Sequence, residues 1–169
     1  MKRTLLYLSA LLFLALTMGS CRRAAENAAR KIRIEAIEQI TPKGLNGADV
    51  ILRVANGTRH KLVLTKAVFE FYYRQDKAMS IRLHESVEIG KRTTESIMTR
   101  WKIRIDDPLI VLLLGRDLET DEPSQIFVSY SVEGRGGPAS VNIAREKVPL
   151  SDFLNTFGVT LQDVKNHFQ

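Results

Sequence analysis

Ile97-Met98-Thr99-Arg100-Trp101-Lys102-Ile103-Arg104-Ile105 is the stretch on which the fold class turns. Ile97, Thr99, Trp101, Ile103 and Ile105 fall at every second position, while Arg100, Lys102 and Arg104 fill the places between. Successive side chains of an extended chain point to opposite faces, so this period sets an apolar row on one side of a strand and a cationic row on the other.

The same period recurs on both sides of it. Upstream, Ile32 and Ile34 alternate with Lys31, Arg33 and Glu35, and the turn-rich Pro42-Lys43-Gly44-Leu45-Asn46-Gly47 follows. Val50, Leu52 and Val54 alternate with Asp49, Ile51 and Arg53 up to Asn56-Gly57. Leu62 to Leu64 leads through Thr65-Lys66 into Ala67 to Arg74, with Phe69, Phe71 and Tyr73 on one face and Tyr72 turned outward with Glu70 and Arg74. Gln75-Asp76-Lys77-Ala78 reads as a hairpin link to Met79, Ile81 and Leu83. Val87 and Ile89 precede the turn Gly90-Lys91-Arg92.

Downstream, Asp106-Asp107-Pro108 has the form of a helix start, an Asp cap followed by Pro at the first helical position. Leu109 to Leu114 fits either a short buried helix or a buried strand, which periodicity does not separate. Gly115 to Ser124 reads as a polar loop. Ile126, Val128, Tyr130 and Val132 form a strand, Gly134 to Pro138 a turn, and Val141 and Ile143 a last strand running toward Val148. Ser151 and Thr160 are candidate caps of two short helical pieces separated by Gly158. Short strands joined by turns, without repeated strand–helix alternation, predict an all-β antiparallel sandwich with a short C-terminal helical tail.

The ends and the composition bound the class. The chain has 169 residues, 44% of them hydrophobic and 26% charged, as expected of one globular domain with an attached segment. Its single cysteine excludes an internal disulfide and a cysteine-based zinc site. Lys+Arg 25 against Asp+Glu 19 gives +6, too modest to mark a nucleic-acid binder.

Lys2 and Arg3 precede an apolar run from Leu5 to Leu16, shorter than the ~20 residues that span a bilayer. Met18-Gly19-Ser20-Cys21 then resembles the lipobox of bacterial lipoproteins, with Met and Ser where Leu and Ala or Gly are commoner. A cysteine at the new N-terminus can carry a diacylglycerol and an acylated amino group, and at about 0.8 kcal/mol per buried methylene several chains hold a protein on a membrane. The boundaries that follow are 1–20 signal peptide, 21–30 tether, 31–150 sandwich and 151–169 tail. Cleavage removes Lys2 and Arg3, taking 25 basic residues to 23 against 19 acidic, or +4. Arg22, Arg23, Arg30, Lys31 and Arg33 would lie near the lipid, either as a solvated tether or against anionic headgroups.

Lys31 to about Val148 resembles the late embryogenesis abundant type 2 domain, also called the water-stress and hypersensitive-response domain. The resemblance is carried by Ala48-Asp49-Val50-Ile51-Leu52-Arg53-Val54 leading into Asn56, by Leu62-Val63-Leu64, by Ala67-Val68-Phe69-Glu70-Phe71 and by the Ile97 to Ile105 strand. Family members often have Asn-Pro where this chain has Asn56-Gly57-Thr58. The resemblance implies an immunoglobulin-like or fibronectin type III-like β-sandwich and a binding or protective role, and it carries no catalytic residues.

Reactive constellations are few. His60, His84 and His167 lack metal-ligand spacing. Asp117-Leu118-Glu119-Thr120-Asp121 matches the opening of a calcium loop, but Glu122 stands where Gly is needed and Val128 where a bidentate Glu is needed. No Gly-x-Ser-x-Gly elbow, Ser-x-x-Lys pair or Gly-Lys-Ser/Thr phosphate loop occurs. Asn56-Gly57-Thr58 matches a glycosylation sequon and reads as a turn.

No enzyme activity, metal or cofactor is therefore expected. The expected product is a lipoprotein anchored through Cys21, in the outer membrane facing the periplasm, whose domain binds a protein or other envelope component. Arg100, Lys102 and Arg104, or a sandwich edge, are the candidate partner-binding features. The alternative role is protection of envelope proteins or lipids against desiccation or unfolding through many weak partners.

Overall fold

The computed structural model of the protein describes residues 31–44, 46–119, 124–157 and 160–162. Among them are eight strands: β1 (Ile32–Pro42), β2 (Gly47–Asn56), β3 (Leu62–Tyr73), β4 (Asp76–Leu83), β5 (Val87–Ile89), β6 (Thr93–Ile105), β7 (Ile126–Gly136) and β8 (Ala139–Pro149). Two helices accompany them, α1 (Pro108–Leu118) and α2 (Leu150–Phe157). All pairings are antiparallel, and the hydrogen-bonded order is β1-β2-β6-β4-β3-β7-β8, with β5 alongside β3. The fold is all-β, antiparallel and sandwich-like with a small helical part, as the alternation predicts. β4 joins the two halves, pairing with β3 on one side and β6 on the other.

The apolar row on β6 meets its counterparts across the sheet. Ile103 lies opposite Ile81, and Ile81 opposite Phe69, which in turn faces Tyr130 on β7. The Phe69 and Trp101 rings lie 5.8 Å apart, while Phe153 of α2 sets its edge against Phe69 at 5.6 Å and Tyr130 at 5.4 Å. The trio Phe69, Phe71 and Tyr73 is thus shared between sheet and helices, as its position on one strand face requires. Ala78, Leu114, Ile126, Val128, Leu150 and Leu154 form the buried cluster beneath α1 and α2.

The helix start reads as expected. Asp107 caps α1, its carboxylate accepting from the Leu109 and Ile110 amides at 2.9 and 3.2 Å, with Pro108 opening the first turn. This settles Leu109 to Leu114 as helix, and α1 continues through Gly115 to Leu118, so the polar-loop reading begins four residues too early. The packing of Leu114 into the core outweighs the cost of about 1 kcal/mol that Gly carries in a helix. α2 starts at Leu150, which places Ser151 inside it and not at its cap. Leu150 and Leu154 make this helix part of the core and not an appendage.

Two turns are tighter than their composition indicates. Tyr73 pairs with Asp76, leaving Arg74 and Gln75 as the hairpin link, with Arg74 at φ 59°. β7 likewise runs on to Gly136 and β8 begins at Ala139, so only Gly137-Pro138 turns. Tyr72 is half-buried, not turned freely outward: its hydroxyl donates to Glu70 at 3.0 Å and Lys147 lies over its ring at 5.3 Å.

Candidate functional site

The predicted cationic row is real, but the sheet treats its three members differently. Arg100 lies opposite Asp49 of β2 and has its guanidinium 3.5 Å from Glu85. Arg104 approaches Asp106 at 3.1 Å. Both cations are offset by acids, the usual condition of a charged sheet face. The Lys102 side chain forms no ion pair or hydrogen bond with any described residue and is exposed.

Register supplies a fourth cation absent from the sequence-level set. Arg82 of β4 sits directly opposite Lys102, and Ser80 directly opposite Arg104. Arg82 is exposed and likewise forms no ion pair with a described residue. Its alternation against Ile81 and Leu83 was the available signal, but the pairing of residues 82 and 102 depends on strand register. Glu70, opposite Ser80 on the other flank, borders the pair: Lys77 hydrogen-bonds it and holds its carboxyl below the usual range, burial opposes this, and the Tyr72 hydroxyl and then the charges of Lys77 and Arg82 reinforce it. Burial, and then the Glu70 carboxylate, push the Tyr72 hydroxyl up.

Arg82, Lys102 and Arg104 share a shallow cavity of about 350 Å³ with Asn46, Ser80 and Ile103. Ser80 is 1% exposed and its hydroxyl has no hydrogen-bond partner among the described residues. Asn46 is held by its carbonyl, which accepts from the Ile103 amide at 2.8 Å and leaves its side-chain amide unengaged among those residues. Gly47 lies opposite Lys102 on the remaining flank, where a Cβ would stand 2.8 Å from the Trp101 carbonyl oxygen. That side of the cleft therefore stays without a side chain.

The cavity lies far from residue 31. β2 runs from Gly47, beside Lys102, to Asn56, beside Ile32. Ten residues at about 3.3 Å each put roughly 30 Å between the two ends.

The sheet edges are less suited to receiving a partner strand. β1 carries two bulges, between Ile34/Ala36 and Ile37/Gln39. β8 is interrupted opposite Val128/Tyr130, where Lys147 adopts φ 47° and its amide donates to Ser129 Oγ at 2.9 Å. Such irregularities blunt strand addition.

The other sequence motifs do not assemble into a site. Asn56 is 1% exposed and fully engaged, donating to the His60 and Gly90 carbonyls at 3.0 and 2.6 Å and accepting from the Thr58 amide and hydroxyl at 2.9 and 2.7 Å. The sequon is a buried turn network, as its turn reading requires. Asp117 and Glu119 lie at the end of α1, while Thr120, Asp121 and Glu122 fall outside the described residues. Among the described residues no three His, Cys, Asp or Glu side chains are grouped to hold a metal. Cys21, the signal and tether segments and His167 also lie outside them. No described helix is long and apolar enough to cross a membrane.

No family model matches the chain, and no curated protein matches it. Among solved structures, it is similar to a protein from Archaeoglobus fulgidus at 11% identity and a TM-score of 0.38, over 69% of this chain and 98% of that one. A likeness of that degree carries no argument about function.

Proposed function

We propose that the protein is a lipoprotein anchored through Cys21, in the outer membrane facing the periplasm, whose sandwich domain binds an acidic envelope component without catalysing a reaction. The observation that carries the binding half is the cross-strand pair Arg82 and Lys102, two cations face to face, neither in an ion pair with a described residue. Like charges directly opposite one another destabilise a sheet, so an anionic partner gains what the free domain loses. The anchoring half is supported by Met18-Gly19-Ser20-Cys21 after an apolar run. The roughly 30 Å along β2 suits a face turned away from the lipid. The resemblance to the late embryogenesis abundant type 2 domain supports a non-catalytic role.

The test is crosslinking of the C-terminally tagged protein in intact cells, followed by identification of what copurifies. One dominant partner, lost when Arg82 and Lys102 are both changed to Glu, is the expected result. A diffuse set of partners unaffected by that reversal would overturn it in favour of the protective role. Fractionation tests the anchor separately: Cys21→Ser should release the protein from membranes and block lipid labelling, and retention with unchanged processing refutes lipidation.

A further inference from the structure

The Arg82–Lys102 cleft has more than charge. Ser80, itself 1% exposed, lines it, and its hydroxyl makes no hydrogen bond with a described residue. A hydroxyl that no described residue engages, beside two cations that form no ion pair with a described residue, offers a donor to an acceptor in the cleft. The donors come from three elements: Arg82 and Ser80 from β4, Lys102 and Arg104 from β6, and the Asn46 amide from the loop before β2. A flat carboxylate would engage donors lying near one plane, whereas a tetrahedral oxyanion can accept from donors spread around it. Two adjacent positive charges, of which Arg82 is partly offset by Glu70, favour an anionic group. About 350 Å³ lies at the small end of ligand sites.

We infer that Arg82, Lys102, Ser80 and Asn46 form a binding site for a phosphate group, with Arg104 completing its rim. This rests on the proposed reading and deepens it, by giving the chemistry of what the basic face recognises. The phosphate is that of a soluble phosphomonoester or of a lipid headgroup, which share the same recognition. Arg82 and Lys102 supply charge-assisted hydrogen bonds, and Ser80 and Asn46 add neutral donors that orient the oxygens. Arg100, paired with Glu85, lies outside the site.

The test uses the full-length lipidated protein purified in a nonionic detergent, titrated with inorganic phosphate and with glycerol 3-phosphate at low ionic strength. Saturable binding below about 10 mM, read by calorimetry and by a rise in melting temperature, is expected. Arg82→Gln and Lys102→Gln should each weaken it at least about tenfold, and Arg100→Gln by less than about twofold. Lys102→Gln should also raise the melting temperature of the phosphate-free protein while abolishing the phosphate-induced rise. A residue of merely structural importance would not give those opposite signs. No saturable binding, or equal loss from Arg100→Gln and Lys102→Gln, would overturn the site.

Vesicles distinguish the source. Binding to phosphatidic acid vesicles over phosphatidylcholine ones, lost in Lys102→Gln, assigns a headgroup; phosphate binding without vesicle binding assigns a soluble ester. If phosphate fails to bind while crosslinking in cells still yields one partner dependent on Arg82 and Lys102, the phosphate assignment falls and the broader binding reading stands.

Discussion

Replacing Asn56 by Ala tests the densest polar contact in the domain. Asn56 joins the end of β2 to the chain before β3 and to the turn after β5, through four hydrogen bonds at 2.6 to 3.0 Å. At about 0.5–1.5 kcal/mol net for each bond, their loss amounts to about 2–6 kcal/mol. The lower half of that range applies, because the Thr58 hydroxyl keeps the His60 carbonyl as an acceptor at 3.0 Å. The Thr58 amide and the Gly90 carbonyl are left without Asn56. We therefore expect Asn56→Ala to cost about 3 kcal/mol, or about 10 °C in melting temperature for a domain of this size. Asn56→Asp keeps the shape and the acceptor for Thr58, but turns an oxygen toward the His60 and Gly90 carbonyls in place of a donor. It should be at least as damaging at neutral pH, and milder once the carboxyl is protonated. Urea unfolding at pH 7 and pH 4, followed by far-UV circular dichroism, reads both variants, and an unchanged denaturant slope would show that the folded and unfolded states are comparable. A loss below about 1 kcal/mol for Asn56→Ala, or a neutral Asn56→Asp at pH 7, refutes the network as drawn.

Three further outcomes follow from the packing and electrostatics. Leu154→Ala, which empties the α2 position in the core cluster, should cost about 3 kcal/mol by chemical denaturation, whereas a tail that merely trails the domain would cost almost nothing. Asp107→Ala should cost about 1 kcal/mol and Asp107→Ser much less, since a serine hydroxyl also caps the Leu109 and Ile110 amides. Glu70 is held below the usual carboxylate range, so the folded state favours its ionised form. Its contribution of about 1 kcal/mol is present above the unfolded value near 4.5 and is lost as pH falls through the lower folded value. The stability gap between the protein and Glu70→Gln should accordingly narrow on going from pH 7 to pH 3, and a gap independent of pH would contradict the Lys77 pairing.

What a single sequence discloses here is divided by distance along the chain. Period-two alternation exposes each strand by itself, because the face on which Trp101 or Lys102 lies depends only on its neighbours. The capped start at Asp106-Asp107-Pro108 is equally local. Bulges are not: nothing in the composition of β1 announces the slips between Ile34 and Gln39, which arise from matching two strands. The continuation of α1 through Gly115 likewise depends on what Leu114 touches.

The candidate site stands on the far side of that divide. In the sequence, Arg100, Lys102 and Arg104 are equivalent members of one cationic row. Neutralisation is decided across strands: Asp49, opposite Arg100, lies on β2, while Glu85 reaches it from the loop after β4. What distinguishes Lys102 is its opposite neighbour Arg82, a second cation where Arg100 meets an acid. The row predicted from alternation therefore shares one face, but its members sit in unlike surroundings. Its outer members are screened by acids brought from elsewhere, and its middle member is left charged because register sets it against Arg82. A charge left unneutralised in this way costs the free domain stability. Relief of that repulsion by an anion is the physical reason for placing recognition at Lys102 and Arg82, not along the whole stripe.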